Sequence, residues 1–288
     1  MSGYRFAAVV SLLAMVLVSL TSVAQIPLAP PVTKGQTVTP VFEGWYRNPD
    51  GTYSLSFGYF NRNYEEVLEI PIGSDNFFEP GPQNRGQPTH FQPRRHWGVF
   101  AVTVSADFGY ERLVWTLKVR GKTYFVPGSL NKDWEIDALR GEAGSGNSPP
   151  SISFHSGGPE GSGPAGVSGD PLAASVGTPL AVTVWAADDG KPSSAVTEFG
   201  EEGEPVTLTW FKHQGPGEVR FSKATHQVSH GGGEAKTMAT FCEPGSYVLR
   251  VRATDASAIA SDGSLNVANA GFAQCCWTNG FVNVNVAE

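Results

Sequence analysis

Three sets of residues in this chain have the types that perform chemistry: thiols, imidazoles and clustered carboxylates. The thiols are Cys242, Cys275 and Cys276. An adjacent pair closes a strained vicinal ring, bridges to a distant cysteine, or stays free; it ligates zinc only with further Cys or His at the right spacing, and none stands beside it. His226 and His230, with His213 nearby, are four apart, a spacing that aligns two ligands on a helix. They sit in the polar run SKATHQVSHGGGEAK, which has no helical periodicity, so a solvated loop is the alternative to a metal site. Asp188 and Asp189 end one expected strand and Asp255 another. Hard oxygens gathered at one pole of a sandwich suit calcium, whereas the same residues singly are turn formers. Glu65 with Glu66, and Glu201 with Glu202, point apart on an extended chain. The sequence has no G-x-S-x-G elbow, no H-E-x-x-H and no Gly-rich phosphate loop after a strand. A non-enzymatic protein is expected, a triad gathered from distant residues being the route by which a secreted hydrolase would be built instead.

The least ordinary segment is residues 71–95, PIGSDNFFEPGPQNRGQPTHFQPRR. Connections of this length are uncommon in compact domains unless functional or disordered, and three Phe argue against disorder. Phe77, Phe78 and Phe91, interleaved with Arg85, Arg94 and Arg95, are the anchor types found in binding surfaces. Asn61, Arg62 and Asn63 end a strand just before them and complete the candidate surface. In the alternative, the Phe side chains plug one end of the domain and the Arg residues pair with Asp75 and Glu79.

The elements that must hold these residues read as strands. Gly 34 and Pro 21 in 288 residues, with few runs at helical spacing, predict an all-β chain. Residues 38–46 and 52–60 flank the turn Asn48-Pro49-Asp50-Gly51 as a hairpin. Tyr53, Leu55, Phe57 and Tyr59 alternate with Thr52, Ser54, Ser56 and Gly58, a period of two that buries one face and wets the other. Residues 66–70, 97–104, 113–119, 123–126 and 134–139 follow, making about seven strands, the count of a sandwich. Residues 141–150, GEAGSGNSPP, have the composition of a flexible linker. Residues 33–140 are therefore one expected antiparallel β-sandwich domain and residues 151–288 a second, with residues 156–170 as a loose first loop.

The second domain offers strands at 151–154, 179–187, 206–212, 218–221, 236–241, 247–254 and 281–286, with Trp185, Trp210, Val248, Leu249 and Val251 as core candidates. Its segments AADDG, VTLTWFKHQGPGEVRFS, ATFCEPGSYVLRVRATD and FVNVNV resemble bacterial Ig-like domains of the PKD and cadherin-like kind, over about half of the chain. The resemblance implies a sandwich that presents surfaces, and calcium at the Asp188, Asp189 and Asp255 pole. It implies no particular ligand, because sandwiches host many roles. If the last strand pairs antiparallel with 247–254, Cys242 and the Cys275–Cys276 pair lie at opposite poles, beyond the reach of a disulfide.

Arg5, an apolar run over 6–20 and small residues at Ser22 and Ala24 form a signal peptide over residues 1–24, too short in its apolar part to span a bilayer. A net charge of −7 disfavours a nucleic-acid partner, which needs a basic face. The sequence thus points to a secreted, periplasmic or cell-surface protein of two sandwiches, without membrane insertion of the mature chain, that binds an extracellular protein or glycan. Adhesion or surface assembly is the leading role, and an accessory carbohydrate-binding protein is the alternative. Intact-mass spectrometry of exported protein is expected to give a chain beginning at Gln25; a species retaining Met1 would overturn the leader assignment.

Overall fold

The computed structural model describes residues 32–136, 147–191, 205–255 and 277–288. Residues 32–288 form one compact unit that contains two hydrophobic cores. The leader over 1–24, most of the connector and the Cys275–Cys276 pair lie outside the described residues.

The first core is enclosed by β1 (Val38–Arg47), β2 (Tyr53–Asn61), β3 (Leu68–Glu69), β4 (Asn76–Glu79), β5 (His90–Phe91), β6 (Arg94–Val104), β7 (Leu113–Val119) and β8 (Lys122–Gly128). The sheet β1-β2-β6 faces the sheet β4-β7-β8, and β3 pairs with β5. Between the two sheets Phe57, Phe78, Phe100 and Trp115 form a ring cluster with centroids 5.1–6.1 Å apart, mostly edge-to-face as the ring quadrupoles favour. In β7, Leu113, Trp115 and Leu117 are buried. Residues 134–139 were expected to be a strand; in the described part Lys132–Trp134 is a 3-10 turn, followed by a bridge from Glu135 to Trp45, and residues 137–139 lie outside the described residues.

The second core lies between a sheet in the order β10-β18-β17-β13-β15 and a sheet in the order β14-β16-β12-β9. The strands are β9 (Ser151–Ser153), β10 (Val167–Ser168), β11 (Leu172–Ser175), β12 (Leu180–Ala187), β13 (Val206–Gln214), β14 (Val219–Phe221), β15 (Thr225–Val228), β16 (Gly233–Phe241), β17 (Gly245–Thr254) and β18 (Trp277–Ala287). β17 and β18 pair antiparallel from Gly245 opposite Val286 to Thr254 opposite Trp277. β10 and β11 run parallel to β18, a departure from an all-antiparallel sandwich. Trp185 and Val248, expected in the core, stand on the other face of their strands. Their neighbours Val184, Ala186, Tyr247 and Leu249 are buried, and a pleated strand sends successive side chains to opposite sides.

A junction of buried polar groups joins the two sandwiches. Asn279 donates to Gly98 O at 2.7 Å and to Pro164 O at 3.0 Å, and Trp277 Nε1 donates to the same Gly98 oxygen at 3.2 Å. Gly98 has φ +45°, and a Cβ there would lie 2.3 Å from the Trp277 ring, so only glycine admits this approach. Arg250 donates to Val99 O and Asn279 Oδ1, each at 3.3 Å, and stacks on Phe211. His213 bonds Gly86 O at 2.7 Å, while its carbonyl accepts from Thr89 N at 2.9 Å. Tyr46 lies opposite Ser54 in the β1–β2 ladder, and its hydroxyl accepts from Ala165 N. The face of β2 expected to be wet is therefore covered, and Ser54 and Ser56 are buried.

Burial first, and the Arg250 charge second, hold the His213 imidazole down to about 3 from its ordinary value near 6.5. The unfolded chain then binds a proton between these values that the folded chain refuses, so stability is complete above about pH 6.5 and falls on acidification. Denaturant titrations from pH 6.5 to 4.5 are expected to show a loss of up to about 1.4 kcal/mol per pH unit from this group. That slope should be missing from His213→Gln. Equal slopes in the two proteins would show that His213 is protonated within the fold.

Candidate functional site

The sequence N-R-N-Y over residues 61–64 builds a surface from a buried support. Asn61 donates to Glu66 O at 2.8 Å and Phe91 O at 3.0 Å, and its carbonyl accepts from both the backbone and the side chain of Asn63. Asn63 closes the clamp by exchanging hydrogen bonds with the Gln36 backbone. With both amides buried, the intervening Arg62 and the following Tyr64 are left to the outside.

Across the ladder, Asn61 pairs with Arg94. Arg94 has φ +72°, uncommon for a side chain of this size. Its guanidinium carbon lies 3.9 Å from the centroid of the Tyr64 ring and 5.2 Å from that of Phe60. Arg62 lies 5.9 Å from the same Phe60 ring and 5.5 Å from Tyr124. The result is a row alternating Tyr64, Arg94, Phe60, Arg62, Tyr124. Arg62 donates one hydrogen bond, to Thr37 Oγ1, which is also bonded to the Tyr124 hydroxyl. Among the described residues the Arg94 guanidinium has neither a hydrogen bond nor an ion pair. The nearby Glu66 carboxylate is taken up by Arg120 at 2.6 Å and by Gly35 N at 2.7 Å.

The other expected contact residues have different places. Phe78 and Phe91 are core side chains with no exposed surface, and Asn61 and Asn63 are the buried clamp, so these four offer nothing to a partner and that expectation is corrected. Phe77 is half-buried under Lys118. Arg85 bonds Pro80 O and stays within its own loop. Arg95 turns inward to Glu43 at 2.6 Å, with further bonds to Tyr59 O and His96 O and with Trp97 beneath it. Neither Arg94 nor Arg95 pairs with Asp75 or Glu79. Burial raises the Glu43 carboxyl above the ordinary range, against the pull of Arg95. Gly58 is what allows the pair to close, since a Cβ there would overlap the Glu43 carboxylate and His96 O.

Segment 71–95 is not structureless. The Asn76 amide bonds Ile70 O and Pro88 O and accepts from Trp115 Nε1, which folds the stretch onto the core. Its residues 86–89 dock on β13. Below that contact a cleft of about 970 Å³ runs between the sandwiches, lined in part by His90, Trp210, Lys212 and Phe221. In it Glu69 binds His90 at 2.6 Å and Lys212 at 3.1 Å. Burial pushes the Glu69 carboxyl up, but these two partners outweigh it and hold it below its ordinary range.

The remaining candidates do not assemble. Among the described residues no three His, Cys, Asp or Glu side chains converge to hold a metal ion. Asp189 accepts from Ser148 and faces Lys191, and Asp255 accepts from Asn147. Asp188 caps Gly190. The histidines expected in a solvated loop are spread apart, because His226 lies in strand β15 and His213 is buried in β13. Cys242 is an exposed free thiol. No described helix is long and apolar enough to cross a membrane. The signal that sequence reading missed was Phe60, Tyr64 and Tyr124, which alternation alone assigns to separate strands and turns.

No protein-family model matches this chain, and no curated protein matches it in sequence. Among solved structures, the D00-D0 domain of intimin is similar over 88% of this chain and 100% of its own, at 10% identity and a TM-score of 0.27. The S-layer protein rSbsC is similar over 87% of this chain and 28% of its own, at 11% identity and a TM-score of 0.24. WR4, an MSP family member of C. elegans, matches 42% of this chain and 92% of its own, at 11% identity and a TM-score of 0.22. Likenesses this distant carry no argument, and the all-β sandwich architecture rests on the strands described above.

The two neighbouring arginines are expected to separate in mutagenesis. Arg95→Ala leaves Glu43 buried without its partner and should cost about 3–5 kcal/mol in denaturant unfolding. Arg94→Ala should stay within about 0.5 kcal/mol, as at other surface positions. Equal losses would show that the row is architecture.

Proposed function

We propose that the protein is an exported, non-enzymatic binding protein that serves adhesion or assembly at a cell surface, with the Arg62–Arg94 row as its contact face. The observation that supports this reading is the Arg94 guanidinium, stacked in a fixed orientation on Tyr64 with its N–H groups unused among the described residues. A side chain held in place before contact loses little freedom on binding, and Arg and Tyr are the residue types that dominate interface energetics. The junction between the sandwiches supports the same reading by making a stiff body from which the row is displayed. Tyr64, 47% exposed, stands at the end of the row.

The test is retention of labelled mature protein on the surface of intact producing cells. Arg62→Ala/Arg94→Ala should lower retention by at least about thirtyfold, the effect of losing an anchor worth 2 kcal/mol, with an unchanged melting temperature. Equal retention of the double variant and the parent protein would sink the proposal.

A further inference from the structure

We infer that the row takes the carboxylates of an acidic protein segment; this rests on the contact face proposed above and names its ligand class. The first ground is the shape of the free donors. A guanidinium presents N–H groups in a planar fork that matches a carboxylate two-to-two. Arg94 has all of them unused among the described residues, and Arg62 has given up one, to Thr37 Oγ1.

The second ground is what the aromatic rings are doing. Neutral sugars are held by stacking on open ring faces. Here Arg94 lies over both Tyr64 and Phe60, and Arg62 over Phe60 and Tyr124. The rings are spent on orienting the cations, so the row offers charge and hydrogen-bond donors in place of a stacking platform. This separates an acidic ligand from the neutral glycan that aromatic residues at this face would otherwise suggest.

The third ground is local charge. The chain carries −7 overall, yet Glu66, whose backbone oxygen accepts from the Asn61 amide, has its carboxylate paired with Arg120 at 2.6 Å. Arg62 and Arg94, neither of them in an ion pair among the described residues, are therefore a cationic spot on an acidic protein, complementary to acidic chains. Two guanidiniums bordering one ring, Phe60, place two carboxylate positions along a single extended segment. An acidic peptide meets that demand with rotatable side chains, whereas a uronate polymer holds its carboxylates at fixed intervals.

Isothermal titration of the full mature chain with hexaglutamate tests the inference, with hexaglutamine and tetragalacturonate as comparison probes. Binding of hexaglutamate is expected, weakening at least tenfold between 50 and 500 mM salt, as exposed charges are screened. Arg94→Gln should weaken it at least tenfold with an unchanged melting temperature, and Arg94→Lys by an intermediate factor, since an ammonium keeps the charge and loses the fork. Hexaglutamine should not bind. Unaltered hexaglutamate binding in Arg94→Gln, no binding of hexaglutamate to the parent protein, or tighter binding of tetragalacturonate would each overturn the inference. If hexaglutamate fails to bind while Arg62→Ala/Arg94→Ala still abolishes cell retention, the acidic-segment ligand is rejected and the contact face stands.

Discussion

Polar side chains removed from water at the junction find most of their hydrogen-bond partners in the opposite sandwich, and those bonds tie the two sandwiches together. Arg250 is the extreme case. It is buried, and burial lowers its guanidinium to about 10, so it stays charged at neutral pH. Its surroundings are neutral oxygens, Val99 O and Asn279 Oδ1, together with the Phe211 ring. Among the described residues only its Nη1 is bonded, to both oxygens, while its Nε is buried without a partner, so the few acceptors it has must stay where they are. Asn279 ties the arrangement together by accepting from Arg250 and donating to Gly98 and Pro164.

The same accounting explains why the surface row sits where it does. Asn61 and Asn63 are buried amides that can be satisfied only by holding the turn after β2 in one path. With the odd positions committed inward, Arg62 and Tyr64 emerge at fixed points, and the paired strand brings Arg94 over Tyr64. Buried hydrogen bonds thus set the geometry of groups that make almost none themselves. Neighbouring arginines end in opposite roles for the same reason. Arg95 faces Glu43 through the gap that Gly58 leaves, whereas Arg94, at φ +72°, lies over the Tyr64 and Phe60 rings.

The period of two in β2 was legible because apolar and small polar residue types alternate along it, although the junction buries both of its faces. So was the hairpin at Asn48-Pro49-Asp50-Gly51, whose turn chemistry is local. The short strands β4, β5, β10, β11 and β15 were not legible. They are two to four residues long, and partners distant in sequence decide their pairing. The stretch 71–95 stood out as unusual with two readings open, a contact surface or a plug: Phe78 and Phe91 fill the core as a plug would, and residues 86–89 face the second sandwich.

By itself the sequence determined an all-β chain, the main strands of both halves and the residue types available for contact, all of which depend on neighbours within a few positions. Only the tertiary structure decided that Asn61 and Asn63 are interior, that Arg95 is an ion-pair partner and Arg94 a surface cation, and that Phe60, Tyr64 and Tyr124 form one row with Arg62 and Arg94. Those outcomes depend on which strands become neighbours and on which buried polar groups find partners, and a single chain of letters does not carry distances between residues sixty positions apart.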